Sequence, residues 1–294
     1  MVLVKPELVS AVIITYNPQW GELQHLICTL KEQLGVVIVI DNNSREEIRV
    51  NLHEKSIEIG FKLQQNTANF GIAKALNQGV EVAKANGYRW TFTFDQDSKV
   101  KNQLVQYTLS VFNGISERNN IGAIGVNALK ANNDVYYPFE KGLSYKEKDY
   151  LITSGTLISI DIFDKIGGFR EDFFIDNVDL EYSLRLKANG YRSIITKESS
   201  MSHDPGNPII RKVLGRWIAS SNHSSLRRYY MARNHVILSK IYWIKFPYFI
   251  LKTTYFFIVS ILFLTLLESK RKEKLIMTFK GLKDGFLKSS RQTQ

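Results

Sequence analysis

Two groups of carboxylates are set apart by their neighbours. Asp95-Gln96-Asp97 follows directly on Trp90-Thr91-Phe92-Thr93-Phe94, and Glu171, Asp172, Asp176, Asp179 and Glu181 fall within eleven residues around Phe173-Phe174-Ile175. Residues two apart on an extended chain point to the same side. Asp95 and Asp97 can therefore offer hard oxygen ligands to one Mg²⁺ or Mn²⁺, ions that usually also bind substrate phosphates. Plain turn and capping residues account for the same pattern. A segment that is half acid and half core suggests carboxylates at the rim of a pocket, where a catalytic base belongs. An amphipathic helix with an acidic face is the plainer reading of those residues.

Further on, His203 lies in Ser202-His203-Asp204-Pro205-Gly206, where a neutral imidazole could complete a metal site or touch a phosphate; a solvated loop histidine is the ordinary alternative. Arg227-Arg228-Tyr229-Tyr230-Met231-Ala232-Arg233-Asn234 carries arginine forks that suit diphosphate oxygens or, equally, anionic lipid.

These side chains need elements to hold them. Val9 to Ile14 reads as a strand, followed by a helical pattern to about Leu34. Val36 to Ile40 is nearly all β-branched, as expected of a strand covered on both faces. Phe61 to Gln64, Trp90 to Phe94, Ile121 to Val126, Leu151 to Ile160 and Tyr191 to Thr196 are further strand candidates, with a helix over Gly71 to Ala85. The alternation predicts an α/β domain with a mostly parallel sheet flanked by helices. Ligands of such sheets sit outside the carboxyl ends of the strands. There the sequence places Thr15-Tyr16-Asn17, Asp41-Asn42-Asn43 and Asp95-Gln96-Asp97, a polar, acidic cleft. No G-x-G-x-x-G follows the first strand and no P-loop motif occurs, which argues against a standard dinucleotide oxidoreductase and against a P-loop nucleotidase. Asn69-Phe70-Gly71 instead puts a tight turn at a helix start.

A chain of 294 residues with one cysteine, Cys28, has no internal disulfide framework and fits a reducing cytoplasm; its first residues do not read as a secretory signal. The net charge of +11 is concentrated late, acids being almost absent from Arg211 onward. Beyond about residue 207 basic, aromatic helices are expected, giving domains at 1–206 and 207–294. Phe246 to Leu267 almost meets the ~20 apolar residues of a spanning helix, but Lys252 interrupts it. A helix lying in or dipping into the membrane, with basic residues at anionic headgroups, is preferred to a buried core helix, which makes the chain peripheral or anchored by a single helix. The same charge raises nucleic-acid binding as a competing class, predicting steep salt dependence. The acidic cleft argues against a nucleic-acid partner. A membrane-associated scaffold without catalysis is the other competing class.

Taken in order, Ala11-Val12-Ile13-Ile14-Thr15-Tyr16-Asn17, Ile40-Asp41-Asn42-Asn43-Ser44, Asn69-Phe70-Gly71, Asp95-Gln96-Asp97-Ser98, Thr153-Ser154-Gly155 and Gly167-Gly168-Phe169 resemble the inverting family 2 glycosyltransferases, over residues from about 8 to 205. Phe173 to Glu181 is most similar to bacterial rhamnosyltransferases of surface-polysaccharide (O-antigen) assembly. The resemblance implies a GT-A fold of Rossmann-like type with a C-terminal helical membrane-associating extension. It also implies a nucleotide-sugar donor, dTDP-L-rhamnose or else a UDP-hexose, and Mg²⁺ or Mn²⁺. The acceptor would be a lipid-linked oligosaccharide at the anionic cytoplasmic face of the bacterial inner membrane. Thr15, Asn17, Asp41, Asn69 and Asp95 would then line the nucleotide pocket, with Asp41 at the pyrimidine base and Asp95 at the ribose. Asp97 would bind the metal, with His203 as a possible further ligand. Aligned on Arg185, the family's Glu-Asp-x-Asp motif falls on Val178-Asp179-Leu180-Glu181. That makes Asp179 the catalytic base and, because Val178 replaces the preceding glutamate, Asp176 a second candidate.

Overall fold

A computed structural model describes residues 3–129, 134–198, 201–202, 209–213 and 216–288. The chain forms two compact units, Met1–Glu171 with Asp179–His203, and Asp172–Val178 with Asp204–Gln294.

In the first unit, strands β1 (Val9–Thr15), β2 (Val37–Asp41), β3 (Lys62–Gln65) and β4 (Trp90–Asp95) alternate with helices α1 (Trp20–Lys31), α2 (Glu46–Ile59) and α3 (Ile72–Ala85). There follow β5 (Lys99–Val100), α4 (Leu104–Asn113), β6 (Ile121–Gly125), β7 (Ala128–Leu129), β8 (Tyr145–Glu147), β9 (Thr156–Ser159), α5 (Ile160–Ile166), α6 (Val178–Ala188), β10 (Arg192–Thr196) and β11 (Met201–Ser202). Eight strands make one sheet in the order β3-β2-β1-β4-β9-β6-β10-β8, and β5-β11-β7 make a small second one. The β3-β2-β1-β4 half is parallel throughout, as is β6 with β10; β9 runs against both its neighbours and β8 against β10.

Every residue of β1 and β2 is buried, as strands covered on both faces require. Within β1 the buried Ser10 is satisfied: its Oγ donates to Thr91 Oγ1 on β4 across 2.9 Å. Helix α3 lies close on this sheet because Gly79 has no side chain; a Cβ there would stand 2.2 Å from Val12 Cγ1.

Two expectations are corrected. The strand expected over Leu151 to Ile160 is only Thr156–Ser159. Gly155 turns the chain at φ +75°, and a Cβ there would meet Val126 Cγ2 at 2.8 Å and Met201 Sδ at 2.9 Å. Ser159 then caps α5, accepting from the N–H of Ile162. The region beyond residue 207 is also not wholly helical: β12 (Ile209–Val213) and β13 (Arg216–Ser220) pair antiparallel. Ile209, Ile210, Trp217 and Ile218 suit that pairing.

The second unit continues with α7 (Ser225–Tyr242), α8 (Pro247–Leu267) and α9 (Arg271–Leu287). Helices α7 and α9 run side by side in the same direction. Lys274 Nζ reaches Asn222 near the start of α7, and Lys240 Nζ reaches the carbonyl of Gly285 near its end. Gly281 and Gly285 let them touch, for Cβ atoms there would lie 2.2 Å from the Tyr229 carbonyl oxygen and 2.7 Å from that of Arg233.

Candidate active site

The parallel register brings three strand ends together: Thr15 on β1 lies beside Asp41 on β2, and Ile14 beside Asp95 on β4. The Asp41 carboxylate is fully buried and completely engaged. One oxygen accepts from Thr15 Oγ1 at 3.2 Å and from Ser44 Oγ. The other accepts the Ser44 N–H at 3.1 Å, with Arg49 Nε 3.9 Å away. Asn17, in the left-handed region at φ +49°, is held by its N–H to Ser44 Oγ (2.7 Å) and by its Oδ1 to the N–H of Arg45 (2.9 Å). Asp41 thus organises the loops carrying Thr15 and Asn17 from beneath.

Asn69 is fixed by a second network of amides. Its Oδ1 accepts from Asn42 Nδ2 and from the N–H of Gly71, each at 3.0 Å. Asn42 Oδ1 in turn accepts the N–H of Phe70 at 3.0 Å and Asn66 Nδ2 at 3.1 Å, and Asn66 pairs reciprocally with Gln78 at 2.9 Å. Gly71, at φ +88°, opens α3 at this point. The free N–H groups of a helix start favour an anion there.

At the end of β4, Asp95 is half-buried and Asp97 exposed. Between them, Gln96 Oε1 accepts the N–H of Tyr16 at 2.7 Å, binding the β4 loop to the β1 loop. Ser98 Oγ and Ser154 Oγ, both buried, are 2.5 Å apart and tie the same turn to the loop before β9. Among the described residues no three His, Cys, Asp or Glu side chains converge as a metal site, and His203 lies outside them. Two carboxylates at one strand end still fit Mg²⁺ or Mn²⁺, which one or two carboxylates hold together with waters and substrate phosphates.

The acidic segment separates by environment. Glu171 pairs with Lys74 at 3.0 Å on the surface. Glu181 is buried and bridges to Arg185 at 2.8 Å. Arg185 also donates to the carbonyls of Ile166, Gly167 and Gly168 at 3.1, 2.8 and 2.7 Å, so this pair fixes the glycine turn. Asp179 lies in the first turn of α6, half-buried, its Oδ1 accepting the N–H of Leu180 at 2.8 Å. Asp176, in the second unit, receives a fork from Arg227, with Nε 3.0 Å from both oxygens and Nη2 2.9 Å from one. Burial pushes the Asp176 carboxyl up, against the pull of Arg227.

Sequence reasoning passed over Asn66, Gln78, Gln96 and Ser154 as site residues. Only their proximity to the strand-end motifs marks them.

The pattern of polar loops on a half-parallel sheet has relatives. Residues 10–173 match the model of glycosyl transferase family 2. The chain belongs to that family. The dTDP-rhamnosyl transferase RfbF of Shigella flexneri is 32% identical over 244 residues, 78% of this chain and 79% of that protein. Among solved structures, GalNAc-T7 with UDP, GalNAc and Mn²⁺ superposes with a TM-score of 0.62 at 13% identity, covering 82% of this chain. The mannosyltransferase PcManGT of Pyrobaculum calidifontis, with GDP-Man and Mn²⁺, gives 0.58 at 13% identity, covering 97% of this chain and 78% of its own. TarS of S. aureus in complex with UDP gives 0.55 at 14% identity over 78% of this chain. The chain spans 49% of the GalNAc-T7 structure and 64% of that TarS structure. The family 2 protein is thus a glycosyltransferase with the GT-A fold.

Proposed function

We propose that this glycosyltransferase moves L-rhamnose from dTDP-L-rhamnose, with inversion, to a hydroxyl of a lipid-linked glycan. The setting would be surface-polysaccharide (O-antigen) assembly at the cytoplasmic face of the bacterial inner membrane. The observation that carries the donor assignment is the 32% identity to a dTDP-rhamnosyl transferase over more than three quarters of both chains.

In this reading the loops of Thr15, Asn17 and Asn69 receive the nucleotide, with Asp41 at the base side through the loop it orders and Asp95 toward the ribose. Asp97 would hold Mg²⁺ or Mn²⁺, with His203 as a further ligand. When bound, such an ion offsets the negative charge that develops on the departing nucleoside diphosphate. Asp179 accepts the proton of the acceptor hydroxyl as its oxygen bonds to the anomeric carbon and the bond to the diphosphate breaks. One displacement inverts that carbon, and no protein nucleophile is needed.

Helix α8 supports attachment to an anionic membrane surface. Only 17% of its most apolar 18-residue window is buried in the protein, and Tyr248, Tyr255, Phe256, Ile258 and Leu262 are more than half exposed. Its middle lies along α7 in the opposite direction: Thr254 Oγ1 is 3.0 Å from His235 Nε2, and Ser260 Oγ 3.4 Å from Arg228 Nη1. Crossing a bilayer would carry α7, with Arg227, Arg228 and Arg233, into hydrocarbon. An in-plane position leaves those charges outside it.

Thermal stability measured with a panel of nucleotide sugars, each with Mg²⁺ or Mn²⁺, tests the donor. dTDP-L-rhamnose should give the largest rise by mass action. Stabilisation by a UDP-hexose, with none by dTDP-L-rhamnose, would refute the donor assignment.

A further inference from the structure

The segment Phe173 to Asn177 has an unusual backbone. Phe174, Asp176 and Asn177 all stand in the left-handed region, at φ +58°, +64° and +60°, and none is glycine. Residues held in such conformations persist only where their surroundings over-determine them, and they gather at functional sites. Here the surroundings are one face of α7. Asn234, fully buried in mid-helix, donates from its single amide nitrogen to the carbonyls of Phe173 and Ile175 at 2.8 Å and of Asp176 at 2.9 Å. Asparagine is a poor helix former that competes for backbone partners, so helix propensity does not explain it there. Its Oδ1 is occupied by Arg233, whose Nη2 lies at 2.9 Å and also reaches the Asp172 carbonyl. One turn earlier Tyr230 stacks on Phe174 at 4.8 Å between ring centres, and Arg227 grips Asp176.

We propose that α7 is the clamp of the catalytic loop: Asn234 and Arg227 are positioning residues that hold Asp172–Val178 in the strained form from which α6 starts. Val178 opens α6 and Asp179 is the next residue, so the loop's conformation sets the direction of the base. The C-terminal region then has a role in the chemistry apart from any membrane. This rests on Asp179 being the base. It also assigns Asp176 to the clamp, its oxygens being engaged by Arg227.

The test uses the full chain with Asn234→Ala and Arg227→Lys, the latter keeping the charge but losing the fork. Hydrogen exchange followed by mass spectrometry needs no substrate. Amides of 173–180 should exchange about tenfold faster in Asn234→Ala, while segments 11–18, 41–45 and 66–72 stay unchanged. With dTDP-L-rhamnose, kcat should fall by about a hundredfold in Asn234→Ala and less in Arg227→Lys, as expected of a misplaced base. The Kd for dTDP should stay within about twofold of wild type. Unchanged exchange at 173–180 in both variants, unchanged kcat, or kcat and dTDP affinity falling together would each overturn the clamp. If the wild type does not turn over dTDP-L-rhamnose, the donor assignment fails and the exchange result alone decides. Should Asn234→Ala not fold, Arg227→Lys gives the same readings, since that side chain is 43% exposed.

Discussion

Asn42, just after β2, donates from Nδ2 to Oδ1 of Asn69, just before α3, across 3.0 Å. This bond joins two loops 27 residues apart and, with the Phe70 N–H on Asn42 Oδ1, shapes the turn at the α3 start. Asn42→Ala removes the acceptor of the part-buried Phe70 N–H and one of the two acceptors of the buried Asn66 amide, which keeps Gln78, a loss of ~1–3 kcal/mol for the buried N–H left unpaired. The dTDP Kd, read by calorimetry, should rise about tenfold.

Asp97 is expected to act through the cation. In Asp97→Ala, added Mg²⁺ or Mn²⁺ should no longer tighten nucleotide binding, while metal-free affinity stays near wild type. An unchanged metal titration would remove Asp97 from the ligand set.

Asp179→Asn keeps the shape of the side chain and removes the proton acceptor. Turnover should drop by ~10²–10⁴-fold with donor binding nearly intact. Near-normal kcat in this variant would exclude Asp179 as the base.

Acid should unfold the C-terminal unit first. Burial pushes His235 down to about 4, and burial with the nearby Arg227 and Arg228 does the same to His223. Unfolded histidine takes up its proton near ~6.5, so stability falls as pH drops from there toward 4. Glu268 adds to this at lower pH. Burial alone would raise it, but hydrogen bonds from Lys274 and Ser220 and the Arg228 guanidinium bring it below the ordinary range. Its contribution is present above the unfolded value of ~4.3 and lost as pH falls through the folded one. A melting temperature flat from pH 7 to 4, or one whose slope is unaltered in His235→Leu, would contradict this. At neutral pH Glu268→Ala should cost ~3–5 kcal/mol, because it strands buried Arg228 and Lys274.

The exposed face of α8 predicts salt-sensitive binding to anionic vesicles and little to neutral ones. Replacing Tyr255, Phe256 and Ile258 with serine should abolish co-sedimentation without lowering the dTDP affinity. Equal binding to neutral vesicles would argue against the electrostatic part of this attachment.

The β1, β2 and β4 strands and the polar triplets at their ends are legible in the sequence, because buried parallel strands need unbroken apolar runs and their ligand loops come directly after. Asp95-Gln96-Asp97 and Thr15-Tyr16-Asn17 stand at strand ends as expected. Local pattern also identifies α8 as apolar enough for a membrane. It overextends the strand before α5, where the close approach of Val126 and Met201 to Gly155 is invisible to periodicity. It also misses the β12–β13 pair, whose short strands carry Arg211, Lys212 and Arg216 within them and so lack an unbroken apolar run.

What the sequence by itself determined is which residue types stand at each strand end and that the acidic segment mixes core with charge. Only the tertiary structure decided how those five carboxylates divide. Glu181 is matched by Arg185 four residues away on the same helix, but Asp176 meets Arg227 from 51 residues further on. Asn234 gathers carbonyls up to 61 residues away. Helix and strand periods encode which face is apolar; they carry no record of which distant polar group meets a buried carboxylate. That pairing depends on the path of the chain, and it is what makes a strained left-handed loop tolerable.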